Sequence, residues 1–194
     1  MVFRELSESS PMKYSVKAVV VLAAVVAVVL RFVPLPIDNF SAMAALAVLS
    51  GTVVRPLWLA VCVPLAARLV SDGVLHYQTG YGFYGSMAFD YAAYLVIALA
   101  GRMVSPRSAV GNVGSGLLAA VLFFLISNTG VWCMPLNGQY LYPQTVAGFR
   151  DCLVMGLPFA KGTLLGDVMM TTLYLGLVQF VSSWKSVEQA VAVE

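Results

Sequence analysis

Charge is what this sequence has least of. Asp, Glu, Lys and Arg make up 10% of its 194 residues, where a soluble domain carries about 25%. The net charge is only +2, with no lysine or arginine run, so the basic footprint of a nucleic-acid-binding protein is missing. A single histidine, His76, argues against a metal site built from imidazoles. The spacing of the three cysteines, Cys62, Cys133 and Cys152, is not a zinc pattern. No Walker-type glycine loop, H-E-x-x-H or G-x-S-x-G elbow occurs, so no nucleotide hydrolysis or hydrolase chemistry is legible. Neither a cofactor nor an enzymatic activity is expected.

Apolar sequence fills the space that charge leaves. Hydrophobic residues reach 60% and the mean hydropathy is +0.88, the composition of an integral membrane protein. Residues 1–15 read as a polar tail with Arg4, Glu5 and Glu8. The first apolar run, Ala18 to Val33, ends in RFVPLP without a small-x-small cleavage pattern, so it reads as an uncleaved span. Later spans are expected at Ser41 to Val54, Leu57 to Leu75, Ser86 to Val104, Val113 to Trp132 and about Pro158 to Val181. The second is shorter than the roughly 20 residues that cross hydrocarbon unaided. The expectation is one all-α membrane domain of six spans over residues 16–182, followed by a polar tail at 183–194.

Six spans put both termini on one side, and lysine and arginine choose it. The terminal side collects Arg4, Lys13, Lys17, Arg55, Arg102, Arg107 and Lys185, against Arg31, Arg150 and Lys161 opposite. Both termini are therefore expected in the cytoplasm, in a multi-pass inner-membrane protein. PLPIDNF, HYQTGYGFYG and the loop after Trp132 then lie outside. Cys133 and Cys152 share that outer side, where oxidising conditions allow a disulfide.

The stretch from Ser127 to Asp167 concentrates polar and aromatic residues between two apolar runs. Ionisable residues within spans are costly and face a bundle interior or a water-filled cavity, which singles out Arg68, Asp72 and Asp167. Arg68 and Asp72 are four residues apart and share a helix face, so an internal ion pair competes with a ligand role for Asp72. For Asp167, ligand contact and anchoring of a loop backbone stand level. Asn128 lies one turn before Trp132. Its amide can orient a ligand beside the indole or bond another helix. Tyr77, Tyr84 and Tyr142 fit a stacking wall or an interfacial aromatic belt. Arg150 supplies a cation near the same loop, and Asn39 joins the candidates, although with Asp38 it can simply cap the second segment.

The segments DNFSAMAALAVLSG, PLAARLVSD, FFLISNTGVW, YPQTVAGF and LPFAKGTLLGD resemble a family of uncharacterised bacterial six-span membrane proteins. That family is similar to the substrate-binding S subunits of energy-coupling factor transporters. The resemblance implies a six-helix bundle with cytoplasmic termini and a ligand pocket open to the outside. It also implies that Ala23 and Ala27, one turn apart, form the alanine face that docks on a transmembrane T subunit carrying two ATPases. No motif of any one vitamin-specific S subunit is present, so the small-molecule ligand stays open. Two other readings remain: an accessory subunit packed in a larger complex, and a membrane enzyme using Asp72 and Asp167 as an acid–base pair.

Overall fold

The computed structural model describes residues 10–105 and 108–191, with side chains described between 15 and 184. Arg4, Glu5 and Glu8 of the amino-terminal tail, Arg107, and residues 192–194 lie outside the described residues. Six helices follow one another: α1 Ser10–Val29, α2 Met43–Val53, α3 Leu57–Thr79, α4 Met87–Gly101, α5 Ala109–Cys133 and α6 Val146–Val191. Among the described residues the only β feature is the Leu136–Gln139 bridge. It closes a turn on Asn137 (φ 52°) and Gly138 (φ 81°), the two left-handed positions that a type I′ turn demands.

Three helices are long and apolar enough to cross a membrane: Leu57–Thr79, Ala109–Cys133 and the Val146–Trp184 part of α6. Ser15–Val29, α2 and α4 are shorter apolar helices. At a rise of 1.5 Å per residue, α2 is about 16 Å long, roughly half of a hydrocarbon core. Every residue from Met43 to Gly51 is buried, as suits a helix apolar all round. The other five helices pack around it.

Small residues let the backbones approach. A Cβ on Gly101 would lie 2.8 Å from the Val48 carbonyl and 3.1 Å from the Gly51 Cα, so α2 and α4 cross almost in backbone contact. Thr52 Oγ1 donates to the Gly101 carbonyl at 3.0 Å, and Ser50 Oγ to the Ala60 carbonyl at 2.7 Å. Arg102 Nη2 donates to the Arg55 carbonyl at 2.7 Å, joining the α2–α3 and α4–α5 connections at one end of the bundle.

Several boundaries differ from the sequence reading. The first helix already begins at Ser10, inside the expected tail, and the last runs to Val191, past the expected end at 182. The largest difference is at α6, which starts at Val146 rather than near Pro158, leaving only residues 134–145 as a connection. Gly148, Gly156 and Pro158 are of the residue types that commonly interrupt a helix. The glycines instead mark close packing, Gly148 against Pro143 and Gly156 against Asn128. Pro158 removes one backbone donor, a loss that apolar membrane helices tolerate. Arg150 and Asp151 therefore sit on a helix rather than in a loop.

Candidate functional site

A cavity of about 910 Å³ lies between the α1–α2 connection, Tyr84 before α4, the carboxy-terminal half of α5 and the amino-terminal half of α6. Its size falls within the roughly 300–1,000 Å³ usual for small-molecule sites. One wall is the irregular backbone from Leu30 to Ser41, where Pro34 and Pro36 prevent the α1 helix from continuing. Gly162 and Gly166, one turn apart on α6, let this backbone lie flat. A Cβ on either would overlap the carbonyl of Asp38 or of Ser41. Thr163 Oγ1 adds a hydrogen bond to the Asn39 carbonyl at 3.1 Å. Asn39 itself adopts φ 58°, a left-handed conformation that asparagine tolerates better than most residues.

The opposite wall carries an ion cluster. Arg68 Nε donates to Asp72 Oδ2 at 2.8 Å, and its Nη2 reaches the Tyr84 hydroxyl at 2.9 Å and Asp90 Oδ2 at 3.4 Å. The Tyr84 hydroxyl in turn donates to Asp90 Oδ2. Burial pushes the Tyr84 phenol well above its ordinary pKa, with the Arg68 charge opposing, so the hydroxyl keeps its proton. Arg31 Nη2 stands 2.8 Å from Asp72 Oδ1 as a charge contact. The Tyr91 hydroxyl donates to Asp72 Oδ2 at 3.0 Å, and the Arg68 guanidinium lies 5.9 Å from the Tyr94 ring centre. Buried charges persist when paired and hydrogen-bonded in this way.

The structure brings only some of the expected site residues to the cavity. Asn39, Tyr84 and Asn128 line it. Asn128 Nδ2 donates to the Phe124 carbonyl at 2.8 Å, one turn back on its own helix. Asp72 is fully buried behind Arg31 and Arg68 and does not line the cavity. Asp167 is also fully buried, and its Oδ1 accepts from the Ala45 N–H at 3.3 Å. That makes it an anchor for the start of α2. Since neither carboxylate lines the cavity, the geometry an acid–base pair needs is not formed there.

The others are placed elsewhere. Tyr77 is 92% exposed. Trp132 Nε1 donates to the Pro143 carbonyl at 3.0 Å, while Gln144 Nε2 reaches the carbonyls of Trp132 and Tyr142. Trp132 and Tyr142 thus tie down the α5–α6 connection. Arg150 pairs with Asp151 at the surface at 2.7 Å. Ala23 and Ala27 are fully buried in the core, and the Ala23 carbonyl accepts from the Tyr174 hydroxyl at 3.5 Å. In the bundle these alanines pack against other helices of this chain. Cys62, Cys133 and Cys152 are free thiols.

Arg31, Tyr94, Phe123 and Thr163 line the cavity without having been singled out in the sequence, and so does Asp38, read there only as a cap. Arg31 reads there as an ordinary cation closing a span. Only its pairing with Asp72, forty-one positions on, reveals its place. Among the described residues no group of three His, Cys, Asp or Glu is placed to hold a metal ion.

Residues 12–190 match DUF6580, described as a family of unknown function. The match spans most of the chain, which belongs to that family. No curated protein and no solved structure matches it.

Proposed function

We propose that this member of DUF6580 captures a small organic nutrient at the inner membrane, as the S-component-like subunit of an uptake system. The cavity carries this reading: about 910 Å³, bounded by helices that can span a bilayer, with aromatic, aliphatic and hydrogen-bonding groups together on its wall. Mostly apolar lining with a few placed polar groups is the usual make-up of a ligand pocket.

In the proposed topology six helices cross or enter the bilayer and both termini are cytoplasmic, a reading supported by the excess of lysine and arginine on the terminal side. The cavity then opens outward, beside the α1–α2 and α3–α4 connections. The ligand is captured outside, the subunit reorients on an energising T subunit with two ATPases, and the ligand leaves inside. No bond is made or broken in it. Because α1 buries Ala23 and Ala27, docking on such a partner uses a different face.

Mass spectrometry of small molecules retained by gently purified protein, with thermal shifts across a metabolite panel, tests this. A ligand at a hundred times its Kd adds about 2.7 kcal/mol of stability, a shift of several degrees. Ala160→Trp, which fills the cavity from α6, is expected to abolish both retention and shift. Absence of any retained molecule and of any shift in the unaltered protein would overturn the reading.

A further inference from the structure

The charges around the cavity do not balance. Arg31, Arg68, Asp38 and Asp90 line it, and Asp72 lies directly behind the two guanidiniums. Three carboxylates thus meet two guanidiniums. Asp72 and Asp90 are engaged by Arg31, Arg68, Tyr84 and Tyr91. Asp38 is different. It is exposed on the α1–α2 connection, and among the described residues nothing forms an ion pair with it. Among the described residues, the two guanidiniums that line the cavity are already held by carboxylates. Arg68 is committed to Asp72, Asp90 and Tyr84, and Lys161 is exposed outside the lining. Arg31 Nη1 makes no hydrogen bond but is buried beyond the reach of a water-sized group.

The remaining wall favours the same sign. Phe40, Tyr84, Tyr94, Phe123, Phe124 and Phe159 line the cavity, and aromatic faces attract cations. Asn128 spends its Nδ2 on the Phe124 carbonyl, and its Oδ1 lies against Gly156 of α6. An anionic ligand would set another negative charge near Asp38 and Asp90, where Arg31 and Arg68 are already held by Asp72. A cationic one finds a counter-ion and stacking surfaces together.

We propose that the ligand carries a positively charged nitrogen, as a protonated amine or a quaternary or heteroaromatic cation, on a flat apolar body, with Asp38 as its counter-ion. This rests on the capture reading and adds the charge of the substrate.

Three probes that share an indole and differ in charge test it: tryptamine, tryptophol and indole-3-acetate, on the full chain in detergent. Tryptamine is expected to bind at least tenfold more tightly than the other two. Asp38→Asn is expected to remove that preference while melting as the unaltered protein does, since the side chain is exposed and unpaired. Indole-3-acetate binding as tightly as tryptamine, or a tryptamine affinity unchanged by D38N, would overturn the assignment. If the neutral or anionic probe binds best and Ala160→Trp abolishes it, the charge assignment falls and capture stands. If no probe binds and no metabolite is retained, both fall. The charge of any retained molecule decides independently: a cation supports the proposal and an anion overturns it.

Discussion

Asp167 sits on α6 yet serves α2. Ala42, at the amino-terminal boundary of α2, offers no side-chain cap. Asp167 Oδ1 receives the Ala45 N–H instead, and Ser41 Oγ receives that of Met43 at 3.2 Å. Helix amino-terminal donors need such partners, and α2 is too deeply buried for water to supply them. Leaving a buried donor unpaired costs about 1–3 kcal/mol, so Asp167→Ala should lower the melting temperature in detergent by several degrees. Asp167→Asn keeps a carbonyl oxygen and should lose distinctly less. Equal melting of the two variants would show that the acceptor is not what matters. At this scale the sequence was partly legible. Arg68 with Asp72 shares a helix face and could be paired by eye. Asp167 was visible as a charge that needed a reason, but its partner lies 122 positions away, beyond the reach of spacing rules.

Among the elements, α6 separates two kinds of glycine. Gly162 and Gly166 touch the α1–α2 backbone, whereas a Cβ on Gly176 would meet nothing within 4 Å. Gly166→Ala must push Ser41 away, and overpacking of this sort costs about 1–3 kcal/mol. It should also weaken binding at the cavity, whose wall this backbone forms. Gly176→Ala should be neutral or gain up to about 1 kcal/mol, because alanine holds a helix better. Thermal melts of the pair decide the matter, and equal effects would refute the packing role of Gly166. Helix number and order were legible because apolar runs alternate with proline- and glycine-rich turns. The start of α6 was not. A glycine that receives another segment's backbone looks, in one dimension, like a glycine that ends a helix.

For the whole molecule, the arrangement in the bilayer is the testable quantity. Tyr81, 83% exposed between α3 and α4, belongs outside in the proposed topology, and Ser105 after α4 inside. With the native cysteines replaced, a Tyr81→Cys variant should react with an impermeant maleimide on intact cells. Ser105→Cys should react only after lysis. The reverse pattern would invert the bundle. The membrane character and the all-helical build could be read from composition, since too little charge remains to cover a soluble surface. The cavity could not, because its walls come from five separate parts of the chain. Of the nine residues expected to bind ligand, Asn39, Tyr84 and Asn128 line it, and the aromatic loop after Trp132 instead hydrogen-bonds to itself.

The short central helix also constrains the order of assembly. α2 is too short to cross the bilayer alone, and its Ala45 donor is satisfied by a residue on α6, made 122 positions later. A nascent chain halted before α6 has α2 without its Asp167 anchor and without the Gly162–Gly166 surface that supports the preceding backbone. α2 is therefore not fixed until α6 is in place. The wall of the cavity that carries Asp38 and Asn39 is completed only once α6 has packed against it.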